Sequence, residues 1–247
     1  GFQLTESGIK PGSDKLKAVG ATQPPKNIHE IRQFLGLCNF FRTHVRNFAQ
    51  VSAPLTKLTK KESLWRKGPL PQDAHRSFKE LQSILCSEPV VDYPRRDRPY
   101  SLITDAALGD DTIAGGLGAI LTQTDEKDNH CVIAYASRKL QKHEKNYTPF
   151  LLEMQAAIWG MDHFQNNLKG RHFTLFTDHK PLEKLGKVHT RTLNRLQEIM
   201  GTFDFEIIYK KGSEMPADFL SRYAVDAIQL NLADLAQAQN QDKVLSA

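Results

Sequence analysis

Four acidic residues occupy positions where a folded domain could bring them together. Asp105 and Asp178 each follow a predicted strand. Glu153 lies in the first turn of a predicted helix and Asp218 opens another, so that separations of 48, 25 and 40 residues divide the four. Because strand ends and the helix starts beside them meet at one edge of a mixed sheet, we expect these acids to cluster. Clustered carboxylates repel one another unless a divalent cation neutralises them.

A cluster of this kind indicates a particular chemistry. Oxygen ligands without His or Cys favour a hard ion, so we expect Mg²⁺, with Mn²⁺ as a substitute. Two such ions about 4 Å apart can bind the attacking water and the leaving oxygen of a phosphodiester, which points to hydrolysis of a nucleic-acid backbone. An acid at a strand end or helix start is, however, more often a cap or turn residue. Spacing alone therefore leaves the metal site and the plain structural role both open.

The elements that must position these acids follow from hydrophobic periodicity. Strand-like runs cover residues 100–104, 118–123, 132–137, 172–177 and 205–210. Helices are predicted over residues 150–168, 181–185 and 191–200, and from Pro216 onward. The resulting order, βββαβαβα, predicts an α/β fold in which helices flank a mixed sheet.

A small helical unit is predicted ahead of this sheet. Residues 1–25 are rich in Gly, Pro and polar residues, and Asn27 fits an N-cap with Glu30 three positions on, so a helix should start at residue 28. A second helix is predicted over 71–86. The first helical pattern leaves a basic face that could follow a nucleic-acid duplex or be ordinary soluble surface. The arginines of this face are Arg32, Arg42 and Arg46.

The sequence pattern changes at Arg95, and this change predicts a domain boundary. A charged, proline-bounded run begins there and strand-like runs follow it. We therefore divide the chain into a helical region, 1–94, and a sheet domain, 95–223. Residues 224–247 are polar and rich in Ala and Gln, and we interpret them as a linker or a frayed helix. The chain opens at Gly1 rather than Met, so we expect a processed product, a recombinant fragment or a piece cut from a longer polyprotein.

The composition bounds the class of protein. The chain has 247 residues, 40% of them hydrophobic, which is enough for two modest domains with their own cores. Its 33 Lys and Arg against 28 Asp and Glu give a net charge of +5, which suits a polyanionic partner without requiring one. The three cysteines form no Cys-x-x-Cys pair, so neither a disulfide framework nor a cysteine zinc site is expected. No run approaches the roughly 18 apolar residues of a membrane span, and no membrane partner is expected.

Several sequence motifs occur in order along nearly the whole chain. In the helical region they are LTESGI at 4–9, IRQFLGLCNFFR at 31–42 and APLTKL at 53–58. In the sheet domain they are TDA at 104–106, AYASRKL at 134–140, NY at 146–147, TDHKPL at 177–182 and ADFLSR at 217–222. In these motifs the sequence resembles the thumb and ribonuclease H regions of reverse transcriptases from gypsy-type LTR retrotransposons.

The resemblance implies a fold, an activity and a set of catalytic residues. The fold is an α/β, ribonuclease H-like mixed sheet flanked by helices, preceded by a mostly helical thumb-like region. The activity is endonucleolytic hydrolysis of the RNA strand of an RNA/DNA hybrid with two Mg²⁺ ions. Matched motif by motif, the family's catalytic and metal-binding acids fall on the four acids named above, which are Asp105, Glu153, Asp178 and Asp218.

Five further residues are candidates for nucleic-acid binding. Arg138 and Lys139 lie in the AYASRKL motif and could bind phosphates of the DNA strand, the alternative being a solvated strand end. His179 follows a candidate catalytic acid and could orient it or touch the substrate, unless it is a buried histidine bonded to backbone. The resemblance to a duplex-holding thumb adds Arg32 and Arg42.

The sequence also departs from the family pattern. Asp105 is followed by Ala106-Ala107 where the family usually has Ala-Ser, and extra residues 108–113 come before a Gly-rich turn. Lengthening a flexible loop costs only about a few tenths of a kcal/mol, so the fold should tolerate the insertion. The loop at 212–216 also lacks a histidine that many cellular ribonucleases H carry there. One alternative stays open, a catalytically inactive, connection-like or host-adopted scaffold that binds nucleic acid.

The resemblance implies partners as well. The fingers and palm of the polymerase would precede this chain, and an integrase region would follow the linker at 224–247. We expect an RNA/DNA hybrid as substrate, and a homodimer through the thumb or the ribonuclease domain is a further partner to test. The expected location is the cytoplasm, in retroelement particles, with the nucleus as the alternative.

Overall fold

The computed structural model describes residues 2–6, 8–87, 91–109, 114–125, 130–178, 198 and 200–210. Several predictions fall outside these residues and are not addressed by it. They are the helix at 181–185, most of the helix at 191–200, the last helix from Pro216 with Asp218, His179, and the linker at 224–247. No helix in the described part of the chain combines the length and apolar character that a membrane span needs.

The first unit, residues 2–87, contains a β-hairpin and five α-helices. The strands are β1 (Phe2–Thr5) and β2 (Gly8–Pro11), which pair antiparallel. The helices are α1 (Ser13–Ala21), α2 (Ile28–Asn39), α3 (Phe48–Val51), α4 (Ala53–Leu58) and α5 (Gln72–Cys86), with a 3₁₀ turn at Arg42–His44. The two predicted helices are confirmed, whereas the hairpin and α1 were not predicted.

The start of α2 shows why its prediction succeeded. Asn27 caps the helix, its Oδ1 accepting a hydrogen bond of 2.9 Å from the Glu30 amide. The Glu30 carboxylate reaches back to accept from the Lys26 amide at 2.7 Å. By contrast, α1 buries only Leu16 and Val19, too few apolar positions to establish a helical period in a sequence.

The second unit, from residue 91 onward, is built on a five-stranded mixed sheet. Its strands are β3 (Tyr100–Gly109), β4 (Ala114–Thr124), β5 (His130–Lys139), β6 (Phe173–Thr177) and β7 (Phe205–Tyr209). The spatial order is β5-β4-β3-β6-β7, with antiparallel pairing among β3, β4 and β5 and parallel pairing of β6 with β3 and β7. The predicted α/β fold with a mixed sheet is confirmed.

The β3–β4 hairpin is longer than predicted. Pairing continues past the predicted end at residue 104 as far as Gly109, which pairs with Ala114. Of the extra residues, Leu108 and Gly109 therefore belong to strand β3 of the hairpin. Gly115 permits this extension, because a Cβ at that position would overlap the Leu108 carbonyl.

One face of the sheet is covered by α6 (Pro149–His163), which is followed by the short α7 (Gln165–Leu168). The prediction of one helix over 150–168 is corrected here, since the helix breaks at Phe164. The helix also starts one residue earlier than predicted, behind the N-cap Thr148, so Glu153 lies in its second turn rather than its first. At Gly160 the helix approaches the sheet closely, and a Cβ there would lie 3.2 Å from both Ala119 Cβ and Thr104 Cγ2.

The two units pack against each other along β5 and β4. Arg42 Nη2 donates to the Ser137 carbonyl at 2.8 Å, and the Ala49 amide donates to Ser137 Oγ at 2.9 Å. A bridge between Ile9 and Val91 adds two backbone hydrogen bonds. The domain boundary predicted at residue 95 stays a prediction.

Candidate metal and nucleic-acid site

Two of the four predicted acids lie level with each other at one edge of the sheet. Strands β3 and β6 run parallel, and their register pairs Ile103 with Phe176. Continuing that register by two residues places Asp105, in the middle of β3, beside Asp178, directly after the end of β6, on adjacent strands that lie about 4.8 Å apart. Both residues are solvent-exposed. The structure therefore brings these two acids together as expected, but the prediction that Asp105 ends its strand is corrected, because β3 continues beyond it to Gly109.

Glu153 joins the pair from α6. Its side chain is only 8% exposed, and its Oε2 atom is buried without a hydrogen-bond partner. The helix holds it there because Leu152 and Ala156, on either side, are buried in a small apolar cluster with Leu117 of β4. A carboxylate oxygen buried in this way is costly unless a proton or a cation compensates it.

The three acids perturb one another electrostatically. Burial, together with the charges of Asp105 and Asp178, raises the pKa of Glu153 to about 8, although a hydrogen bond with the Ala106 backbone opposes the shift. Desolvation by the surrounding protein also raises the pKa of Asp105, although one side of that residue faces solvent, and the Asp178 charge adds to the effect. The positive charge of Arg46 opposes both causes at Asp105.

These three acids have the chemistry expected of ligands for a divalent cation. The donors are all carboxylate oxygens, they repel one another, and one buried oxygen has no partner. Yet in the described residues no group of three or more His, Cys, Asp or Glu side chains already has the spacing to hold a metal ion. Asp218, the fourth predicted ligand, lies outside those residues.

Arg138, predicted to bind phosphate, is bound to a carboxylate of its own domain. Its guanidinium makes two 2.6 Å hydrogen bonds to Glu144, whose side chain is 2% exposed. The Arg138 group also lies over the ring of Trp159 on α6, 5.5 Å from the centroid. Burial raises the pKa of Glu144, but hydrogen bonds from Arg138 and the Gln141 amide overcome this and leave the pKa below its ordinary value. Glu144 was not identified from the sequence, because its role depends on this tertiary contact.

We predict that Glu144→Ala destabilises the chain by roughly 3 kcal/mol, because it leaves the partly buried Arg138 charge without its partner. Urea unfolding followed by circular dichroism measures the change. Asp204→Ala is the control, since it removes the exposed His172–Asp204 pair and should have a much smaller effect. Equal effects of the two substitutions would show that the Arg138–Glu144 pair has no special structural role.

The remaining predicted binding residues are placed as follows. Lys139 Nζ donates to the Ala53 carbonyl at 3.5 Å, and burial, together with the nearby Lys60 charge, lowers the pKa of this lysine. Arg42 joins the two units through Ser137, as described above. Arg32, on α2, is exposed and donates to the Thr59 carbonyl at 3.3 Å. Lys139 and Arg42 thus lie at the junction of the units.

Comparison with known proteins places this site in context. Residues 96–204 match the model of a family described as the RNase H-like domain found in reverse transcriptase. The chain is 35% identical over 243 residues to the retrovirus-related Pol polyprotein from transposon opus of Drosophila melanogaster, covering 94% of this chain. It is 31% identical over 242 residues to that from transposon gypsy of the same organism, covering 93% of this chain. The chain spans about a quarter of the length of these polyproteins, 24% and 22% respectively.

A solved structure shares the fold. The foamy viral protease-reverse transcriptase in complex with an RNA/DNA hybrid superposes with a TM-score of 0.67 at 18% sequence identity. The match covers 86% of this chain and 28% of that chain. Because it includes most of this chain, the likeness extends over both units.

Proposed function

Because residues 96–204 belong to the RNase H-like domains found in reverse transcriptases, within a segment related to the Pol polyproteins of gypsy-type retrotransposons, we propose that this chain cuts the RNA strand of RNA/DNA hybrids. The observation that carries the proposal is the convergence of Asp105, Glu153 and Asp178, with a buried Glu153 oxygen that lacks a partner. An RNA/DNA hybrid is bound by the foamy viral enzyme of the same fold, which supports this class of substrate.

The three acids would hold two Mg²⁺ ions together with Asp218, and Mn²⁺ would substitute. When bound, such ions would supply Lewis-acid chemistry, activating a water for in-line attack on the phosphate and stabilising the departing 3′ oxygen. The chain's own part is to keep the carboxylates in place before substrate arrives. Strand β3 fixes Asp105 and the end of β6 fixes Asp178, while the packing of α6 fixes Glu153. Products with 5′-phosphate and 3′-hydroxyl ends follow from this direction of attack.

Selection of the RNA strand would come from its 2′-hydroxyl groups in the wide minor groove. The basic residues at the junction of the units, Arg42 and Lys139, supply positive charge beside the sheet edge. Such contacts to phosphate fix the register of a duplex without reading its sequence. We therefore expect hybrid cleavage with little sequence preference.

A strand-resolved cleavage assay tests the proposal. The full chain is incubated with Mg²⁺ and a hybrid labelled on either strand, beside duplex DNA, duplex RNA and an EDTA control. We expect the RNA strand of the hybrid alone to be cut, and only with the metal ion. Tight binding of the hybrid without any cutting would instead favour the inactive scaffold.

A further inference from the structure

A turn of the first unit is anchored to the same row of the sheet that carries Asp105. Across β3, β4 and β5, the register aligns Asp105 with Gly118 and Gly118 with Ser137. Ser137 receives hydrogen bonds from the Arg42 side chain and the Ala49 amide. The segment 42–49, which is sequence-distant from the second unit, therefore begins and ends two strands away from a candidate catalytic acid.

The middle of this turn comes closer still. Asn47 has a φ of 51°, in the left-handed region that few non-glycine residues adopt. A Cβ added to Gly118 would lie only 3.0 Å from the Oδ1 atom of Asn47. The side chain of Gln50 packs against Gly116 in the same way, so closely that a Cβ on this glycine would overlap the Gln50 amide. Because two residues of β4 are glycines, the 42–49 turn can pack closely against this strand beside Asp105.

Arg46 is the charged residue that this turn carries to the site. It is half-buried, and it precedes Asn47 directly. Its positive charge lowers the pKa of Asp105 and that of Tyr135, a residue of β5. Arg42 and Lys139 lie in the same junction. A positive group therefore lies beside Asp105, where the substrate phosphates would come under the proposed function.

We propose that Arg46 binds a backbone phosphate of the nucleic acid at the Asp105 site, so that the first unit supplies a substrate-positioning residue to the ribonuclease centre of the second. This inference rests on the proposed function. A guanidinium suits the role because its planar donors match the oxygens of a phosphate and its charge is retained at any working pH. The anchored turn also limits the conformational entropy that Arg46 loses on binding.

The test uses the full chain with Arg46→Ala and Arg46→Lys. Arg76→Ala is the matched control, because it removes an exposed arginine from α5 of the same unit. Hybrid affinity is measured by fluorescence anisotropy in EDTA over a range of salt concentrations, and initial cleavage rates in Mg²⁺ give kcat and KM. Thermal melting establishes that each variant is folded.

We expect Arg46→Ala to raise the hybrid Kd and KM roughly 10-fold and to reduce the slope of log affinity against log salt by about one. Arg46→Lys should restore the salt slope but only part of the affinity, and Arg76→Ala should change neither. Unchanged Kd, KM and salt slope in Arg46→Ala would overturn the inference. So would a fall in kcat with a shifted pH profile and unaltered affinity, which would restrict Arg46 to its effect on Asp105.

These outcomes separate the inference from the function on which it rests. If the unmodified chain cuts the hybrid and Arg46→Ala behaves like it, the ribonuclease proposal stands and the Arg46 contact is wrong. If the unmodified chain binds but never cuts, the ribonuclease proposal fails, and the loss or retention of affinity in EDTA still decides whether Arg46 contacts the duplex.

Discussion

Asp178→Asn should lower the rate of hybrid cleavage by roughly 10³-fold, because it removes a ligand from ions expected to provide several kcal/mol of transition-state stabilisation. Asn keeps the size and one oxygen of the side chain but carries no charge. Since Asp178 is exposed at a strand end, the fold should not depend on it. Hybrid affinity in EDTA should therefore change little, and the loss should appear in kcat.

A matched control is available in the neighbouring helix. Asp162 is an exposed acid near the end of α6, so Asp162→Asn makes the same chemical change away from the acid cluster. Strand-labelled hybrid and single-turnover rates compare the three proteins directly. A cleavage rate in Asp178→Asn within a few-fold of the unmodified chain would remove Asp178 from the catalytic site.

Glu153→Gln should stabilise the metal-free chain at pH 8 by about a few kcal/mol while abolishing cleavage. The pKa of Glu153 is about 8 in the folded chain, against an ordinary value of 4.5. Between these two values the native state therefore keeps a proton that the unfolded state has lost. Stability then falls as pH rises from about 4.5 to 8, and it levels off above that. Gln carries no ionisable proton, so this decline should disappear in the variant.

Chemical unfolding in EDTA at pH values from 5 to 9 measures this difference. A divalent cation should oppose the decline, because it binds the ionised carboxylate and releases the proton. Added Mg²⁺ should therefore stabilise the unmodified chain more at pH 8 than at pH 6, and it should have a much weaker effect on Glu153→Gln. Parallel pH profiles of the two proteins in EDTA would contradict the account of Glu153 as a buried, protonated acid.

The sheet and its acids could be predicted because they depend on local patterns. Apolar runs identified the five strands, and Asp105 and Asp178, which follow two of these runs, meet because β3 and β6 are parallel neighbours. Asn27 and Glu30 identified the start of α2 in the same way, through a cap that involves only four consecutive residues. Each of these predictions requires no knowledge of the tertiary arrangement beyond a single sheet.

Other features could not be predicted because they depend on how the chain folds back on itself, either within a few residues or between distant segments. Whether Arg138 faces solvent or a carboxylate depends on where Glu144 lies, and nothing in the local sequence fixes that position. The approach of Arg46 to Asp105 needs the docking of one unit on the other and two glycines in β4. Asp218 and His179 are not among the described residues, so their predicted roles stay predictions.

The association of metal ions with the acid cluster is the central claim, and a direct titration tests it. Free Mn²⁺ is measured by electron paramagnetic resonance as the ion is added to the unmodified chain, to Glu153→Gln and to Asp162→Asn at pH 8. We predict that the unmodified chain and Asp162→Asn bind Mn²⁺ alike, and that Glu153→Gln binds it at least roughly 10-fold more weakly. Equal Mn²⁺ binding by all three proteins, or none by the unmodified chain, would contradict a metal site at Asp105, Glu153 and Asp178.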